Sequence, residues 1–247
     1  MRKPNYTLGV APEQVAKKVI LTADPETCMY VAETYMKGYT PFNVNRNFPG
    51  YTGTYMTKPV TVISAGIGMG QMGLLTEELF EKYGVESVVY VSTCDALKES
   101  VKPQDYVLAL SASTDSSYPD LLGLPGAVSP TADFELTVRI AERFKERKEL
   151  ATSNDNAALY VSPVLSTDRR ITDGLEAEEW TESGAVAADM ATAALFLNAR
   201  KAGAKAAALL LVDRNVQTGE EMPDIEYRYK PWQFSCMRQI VLALENV

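Results

Sequence analysis

The chain has 247 residues, 46% of them apolar and 23% charged, which is the composition of an ordinary soluble globular protein able to bury a substantial core. Its net charge of −8 argues against nucleic acid as the main partner, because phosphate backbones demand a basic face. Histidine is absent, which excludes Ser-His and Cys-His catalysis, His-ligated zinc and imidazole acid–base chemistry. Carboxylates, Arg, Lys, Tyr, hydroxyls and backbone amides are left to do any chemistry. Cys28, Cys94 and Cys236 have no metal-ligand spacing and read as reduced thiols. The first fourteen residues hold no leader-like apolar core, and no run approaches the ~18 apolar residues of a membrane span. A cytoplasmic protein with no membrane partner is therefore expected.

In chain order, residues 15–21 read as a strand, followed by a helix over 25–37 with Asp24 as cap and Pro25 at its first position. Residues 43–49 are polar and carry a lone Arg46, and 50–55 lead through a hairpin into a buried strand at 59–64. There Val60, Val62 and Ile63 suit a covered parallel strand. Gly66, Gly68 and Gly70 follow, then a helix to about Gly84, with Leu74, Leu75, Leu79 and Phe80 at helical spacing. A strand entering a helix through glycines is a natural anion or sugar site, because amides point outward there.

A second buried strand at 87–91 opens into a small polar loop, Ser92-Thr93-Cys94-Asp95. Further strands are expected at 106–110, 157–163, 184–188 and 206–212, with helices at 134–150, 190–202 and 231–247 and a long loop at 111–130. The last of these strands delivers Asp213-Arg214-Asn215 to its carboxyl end, where ligands gather in open α/β sheets. No repeat or linker interrupts the alternation. The expectation is one α/β domain over residues 1–247, with a mixed, mainly parallel central sheet flanked by helices.

Several stretches together resemble the nucleoside phosphorylase family, in particular its hexameric purine and uridine phosphorylases. They are ADP at 23–25, YVAETY at 30–35, GYTGTY at 50–55, SAGIGMG at 64–70, VSTCDAL at 91–97, Asp189-Met190, and GAKAAALLLVDRN at 203–215. The resemblance implies cleavage of a nucleoside N-glycosidic bond by phosphate, with phosphate as co-substrate and no further cofactor. It also implies a homo-oligomer, a dimer or a trimer of dimers. By the same resemblance Ala23, Arg46, Thr93 and the glycine-turn amides would hold phosphate. Thr93, Cys94, Asp95, Asp189, Met190 and Ile67 would line the substrate site, and Asp213 with Arg214 would face the base as the catalytic pair.

The sequence departs from that pattern at charged positions. The family's first phosphate arginine is Thr27 here, its second is Tyr90, and its Glu-Met-Glu sugar motif is Asp189-Met190-Ala191. Asp95 stands where a glycine is expected, and Asp213-Arg214 is closer to the uridine branch than to the Ser-Asp of the purine enzymes. If phosphate is excluded, the reaction becomes hydrolysis, with a carboxylate such as Asp95 or Asp189 orienting water. The alternative is a catalytically silent member that binds a nucleoside or serves as an assembly subunit. Plainer roles stand beside the sharp ones: turn geometry for the glycines, helix capping for Asp189, mutual pairing for Asp213 and Arg214, and a solvated basic pair for Arg169-Arg170.

Overall fold

A computed structural model describes residues 7–42, 48–123, 126–146, 157–222 and 237–247. The strands are β1 (Lys18–Thr22), β2 (Lys37–Phe42), β3 (Gly50–Tyr55), β4 (Lys58–Ser64), β5 (Ser87–Ala96), β6 (Tyr106–Thr114), β7 (Leu159–Ser166), β8 (Ala187–Asp189) and β9 (Lys205–Asn215). The helices are α1 (Pro25–Tyr35), α2 (Met69–Glu81), α3 (Tyr118–Leu121), α4 (Phe134–Glu146), α5 (Gly174–Glu182), α6 (Thr192–Ala202) and α7 (Met237–Asn246). None of them, among the described residues, is long and apolar enough to cross a membrane.

The strands form one mixed sheet in the order β2-β3-β4-β1-β5-β8-β7-β6-β9, and β5 also pairs with β9, so the last five close on themselves. Pairs β1–β4, β1–β5, β5–β9, β6–β7 and β7–β8 are parallel, and β2–β3, β3–β4, β5–β8 and β6–β9 are antiparallel. Strand periodicity divides most of the apolar side chains between two main cores, with a third, smaller cluster around Leu97, Leu165 and Ile171. On β9, Ala206, Ala208, Leu210 and Val212 join the core that holds α2 and α6. Ala207, Leu209 and Leu211 join the one that holds α1, α4 and α7.

Local signals explain most boundaries. Asp24 accepts the Thr27 amide at 2.7 Å to cap α1, and Gly203 ends α6 in the left-handed region at φ 68°. Other boundaries moved. The helix expected to reach residue 37 stops at Tyr35, and β2 follows as the antiparallel partner of β3. Strand β5 runs on through the expected polar loop to Ala96, because residues 92–96 keep pairing with β9 and, at the end, with β8. Strand β6 likewise takes the first part of the expected 111–130 loop, which also holds α3. Helix α5, capped by Asp173, had no sequence expectation. The expected helix over 231–247 is described only from Met237 onward; its start near Trp232, together with Cys236 and Arg46, lies outside the described residues.

A buried polar network fastens α3 to the helical layer. The Tyr118 hydroxyl donates to Asn198 Oδ1 at 3.1 Å, and Asn198 Nδ2 donates to Gly73 O at 2.8 Å and Thr76 Oγ1 at 2.9 Å. A Cβ at position 73 would lie 2.3 Å from the Tyr118 ring. Gly73→Ala should therefore lose about 1–3 kcal/mol of stability through overpacking, read as a lower urea midpoint at unchanged slope.

Candidate active site

A cleft of about 580 Å³ opens over the carboxyl ends of β1, β4, β5 and β9, with the segments that follow β7 and β8 closing its side. At one end lie Ala23, Asp24 and Thr27 from the start of α1, Gly68 from the glycine turn, and Tyr90. The Asp24 carboxylate takes both the Thr27 amide and the Thr27 hydroxyl, at 2.7 and 2.6 Å, so the amino end of α1 already carries its own anion. Gly66 and Gly68 adopt φ of 71° and 101°, a conformation L side chains resist, and Gly68 is the N-cap of α2. Gly70 lies inside the first turn of α2, so the three alternate glycines do two different jobs. Tyr90 is buried at this end, and desolvation, then the Asp189 charge, raise its phenol far above the usual value.

Thr93, Cys94, Asp189 and Met190 form the middle of the cleft, and Ile67 projects into its mouth, 65% exposed. Cys94 is held as a thiol, since burial and then the carboxylates of Asp189, Asp95 and Asp213 all raise its pKa. Asp189 reaches the cleft wall, but both its oxygens are committed. One accepts the Ser166 hydroxyl at 2.5 Å; the other takes the Ala191 and Thr192 amides and the Thr192 hydroxyl at 3.0, 2.8 and 2.7 Å. This carboxylate starts α6 and bolts it to β7. The helix-capping role therefore consumes the acceptors that sugar binding or water activation needs.

The far end is ionic. Asp95, nearly buried, accepts Arg170 through Nε at 3.2 Å and Nη2 at 2.7 Å, and Arg214 Nη2 at 3.0 Å. Arg214 also donates to Ile171 O at 2.8 Å, and its Nε is buried without a partner. The β5–β9 register passes from Cys94↔Val212 to Asp95↔Arg214, leaving Asp213 as the extra residue of a bulge. Asp213 lines the cleft whereas Arg214, hydrogen-bonded to Asp95, is not among its lining residues, so the two are not presented to the cleft side by side. Burial, then the charge of Asp95, raise the Asp213 carboxyl, against the lowering charges of Arg170 and Arg214.

The Arg169-Arg170 pair separates: Arg169 joins Glu176 at 2.5 Å, and Arg170 turns to Asp95. Reading Arg170 as solvated surface missed its place in the wall, since the signal lay in a contact 75 residues away in sequence. Gln239, buried on α7, also lines the cleft and donates to Ser92 O at 2.8 Å, with no local motif to mark it. Among the described residues no group of three or more His, Cys, Asp or Glu is arranged to hold a metal ion.

Comparison with known proteins gives a consistent set. The sequence profile of the phosphorylase superfamily matches residues 17–230. The DeoD-type purine nucleoside phosphorylase of Geobacillus kaustophilus is 35% identical over 214 residues, 87% of this chain and 87% of that protein. The corresponding protein of Geobacillus sp. (strain WCH70) is 36% identical over 84% of this chain and 85% of its own. The crystal structure of uridine phosphorylase from Vibrio fischeri superposes with a TM-score of 0.82 at 25% identity, covering 96% and 93% of the two chains. Purine nucleoside phosphorylase from Toxoplasma gondii, crystallised with immucillin-H, shares the fold at a TM-score of 0.83 and 20% identity, covering 100% of this chain and 97% of that one.

The two carboxyls with raised pKa give stability a definite pH slope. Each favours the protonated native state, so its contribution is fully present below the ordinary carboxylate pKa and is lost as pH rises through the raised value. Urea midpoints should fall as pH climbs away from that range, and Asp213→Asn should flatten the slope. An unchanged slope in the variant would contradict the assignment.

Proposed function

The chain belongs to the phosphorylase superfamily, and from that premise we propose that its cleft breaks the N-glycosidic bond of a nucleoside with water, not phosphate, as the acceptor. The observation that carries this is the charge of the lining. Asp24, Glu26, Asp95, Asp189 and Asp213 all border the cleft, whereas its cations among the described residues, Arg169 and Arg170, are ion-paired with Glu176 and Asp95. A phosphate dianion would meet net negative charge there, since Asp24, Glu26 and Asp95 outnumber Arg169 and Arg170 even with Asp189 and Asp213 protonated. An oxocarbenium-like sugar is stabilised by the same charge.

In this reading Asp213 is the general acid. Its raised pKa favours the form that donates a proton to the departing base as the C–N bond breaks. Water adds to the anomeric carbon, and the proton it releases restores the Asp213 carboxyl. Thr93 lines the cleft and its hydroxyl can orient that water, while the Thr27 hydroxyl, which donates to Asp24, can only accept from it. The purine and uridine phosphorylase relatives support a nucleoside as the substrate. The reading includes residues 1–247 as one nucleoside phosphorylase-like domain in a homo-oligomer.

A second reading, nucleoside binding without turnover, is favoured by one observation: both Asp189 oxygens are spent on α6 and Ser166, and Ala191 offers no carboxylate in exchange. Product analysis separates the readings. Hydrolysis predicts free base and free reducing sugar in phosphate-free buffer, at a rate that added phosphate does not raise. Sugar 1-phosphate formed only with phosphate would overturn it, and binding without product would leave the silent reading. Asp213→Asn should lower kcat by about 10²–10⁴-fold with the fold intact.

A further inference from the structure

The wall of the cleft holds a buried acceptor that the protein itself leaves unused, the side-chain carbonyl of Gln239. We propose that Gln239 orients the attacking water through this oxygen, a role that rests on the hydrolytic reading of the cleft. Gln239 stands on α7, is 1% exposed and lines the cleft. Its amide nitrogen donates to Ser92 O at 2.8 Å and to Leu209 O, so both amide hydrogens are spent on carbonyls of β5 and β9. Two such bonds fix the amide plane and leave Oε1 as the one group Gln239 has to offer. Among the described residues nothing donates to that oxygen. Nor is it one of the side-chain atoms sealed from solvent without a partner, so its opening is to the cleft. Fastening α7 to the sheet needs only the donor half of the amide. An acceptor this deep costs free energy unless a small donor occupies the space beside it.

Strand alternation places this oxygen on the acceptor side. Along β5, Tyr90 and Cys94 enter the core shared with α2 and α6, whereas Val89 and Val91 enter the one shared with α1 and α7. Thr93 continues the second set by the period of two, on the face where α7 carries Gln239 and α1 carries Thr27. Three groups then account for a water. The Thr93 hydroxyl donates to one lone pair, and Gln239 Oε1 takes one hydrogen. The Thr27 hydroxyl, whose own hydrogen goes to Asp24 at 2.6 Å, takes the other. The remaining lone pair forms the C–O bond to the anomeric carbon as the C–N electron pair leaves with the base, which Asp213 protonates.

A neutral amide suits this task. It accepts a hydrogen bond without taking the proton, so it aims the water while the released proton restores Asp213. Its oxygen also turns the negative end of a fixed dipole toward the acceptor space, which disfavours an anion there. Two carboxylates of the cleft wall are already committed elsewhere. Asp189 is filled by Ser166, Ala191 and Thr192, and Asp95 by Arg170 and Arg214.

The test uses the full chain with inosine and uridine in phosphate-free buffer containing methanol, and counts free sugar against methyl glycoside by NMR. A site built around water should favour it over methanol by about tenfold or more beyond their molar ratio in the solvent. Gln239→Met should bring the products close to that molar ratio and lower kcat about tenfold, with KM for the nucleoside held within about twofold. Thr93→Val should relax the ratio as well, and the double variant should lose no more than the larger single loss, because both groups hold the same water. Circular dichroism checks that the variants fold, and the native ratio is a measurement that needs no variant. Native products at the solvent's molar ratio, a native ratio retained in Gln239→Met, or losses at Gln239 and Thr93 that simply multiply would overturn the proposal. In each of those cases free sugar still forms without phosphate, so the hydrolytic reading stands. A native protein that yields no free sugar without phosphate removes both.

Discussion

Strand β5 is the member on which the architecture depends. It pairs in parallel with β1 on one edge and with β9 on the other, then reaches β8 with its last two residues. Its apolar side chains are also buried on both faces, Val88 and Tyr90 in one core and Val89 and Val91 in the other, so its backbone groups must find their partners in the ladder. That requirement carries regular structure past Val91, where the apolar run ends, through Thr93, Cys94 and Asp95. Polar side chains are thereby mounted on a rigid element, which holds them more precisely than a loop can. Closure of the last five strands brings the ends of β7 and β8 round to meet it.

Much of the architecture could be read from the sequence, because its signals are local. Apolar runs at 60–63, 87–91 and 206–212 report buried strands by composition alone. Asp24-Pro25 and Gly203 mark helix ends by their own conformational preferences. What stayed hidden is what depends on partners distant in the chain. Residues 38–42 carry no strong strand signal, and β2 exists because β3 offers an edge. The extension of β5 depends on register with β8 and β9. The split of Arg169 from Arg170 depends on Asp95, and Gln239 enters the cleft only through the packing of α7.

At the candidate site the same distinction separates identity from role. The residues bordering the cleft include Ala23, Thr93, Cys94, Asp95, Asp189, Met190, Ile67 and Asp213, all positions that the family resemblance singles out. Their employment is another matter. Asp189 is spent on the start of α6, Asp95 on two guanidiniums, and Asp24 on Thr27. A carboxylate in a cleft wall has only so many lone pairs, and each hydrogen bond within the protein leaves fewer for a ligand. Asp213 stands apart because the bulge removes it from the ladder and points it into the open space. The four carboxylates look alike in sequence and differ in what they have left to offer.

The bulge also separates two neighbours of opposite sign. Asp213 and Arg214 are adjacent in sequence, yet the extra residue in β9 leaves Asp213 unpaired and bordering the cleft while Arg214 takes its place in the ladder opposite Asp95. In a regular strand, alternation would send adjacent side chains to opposite faces of the sheet; here a local irregularity of the backbone does the sorting instead. The charge that this wall shows to the cleft is therefore a property of strand register as much as of amino-acid identity.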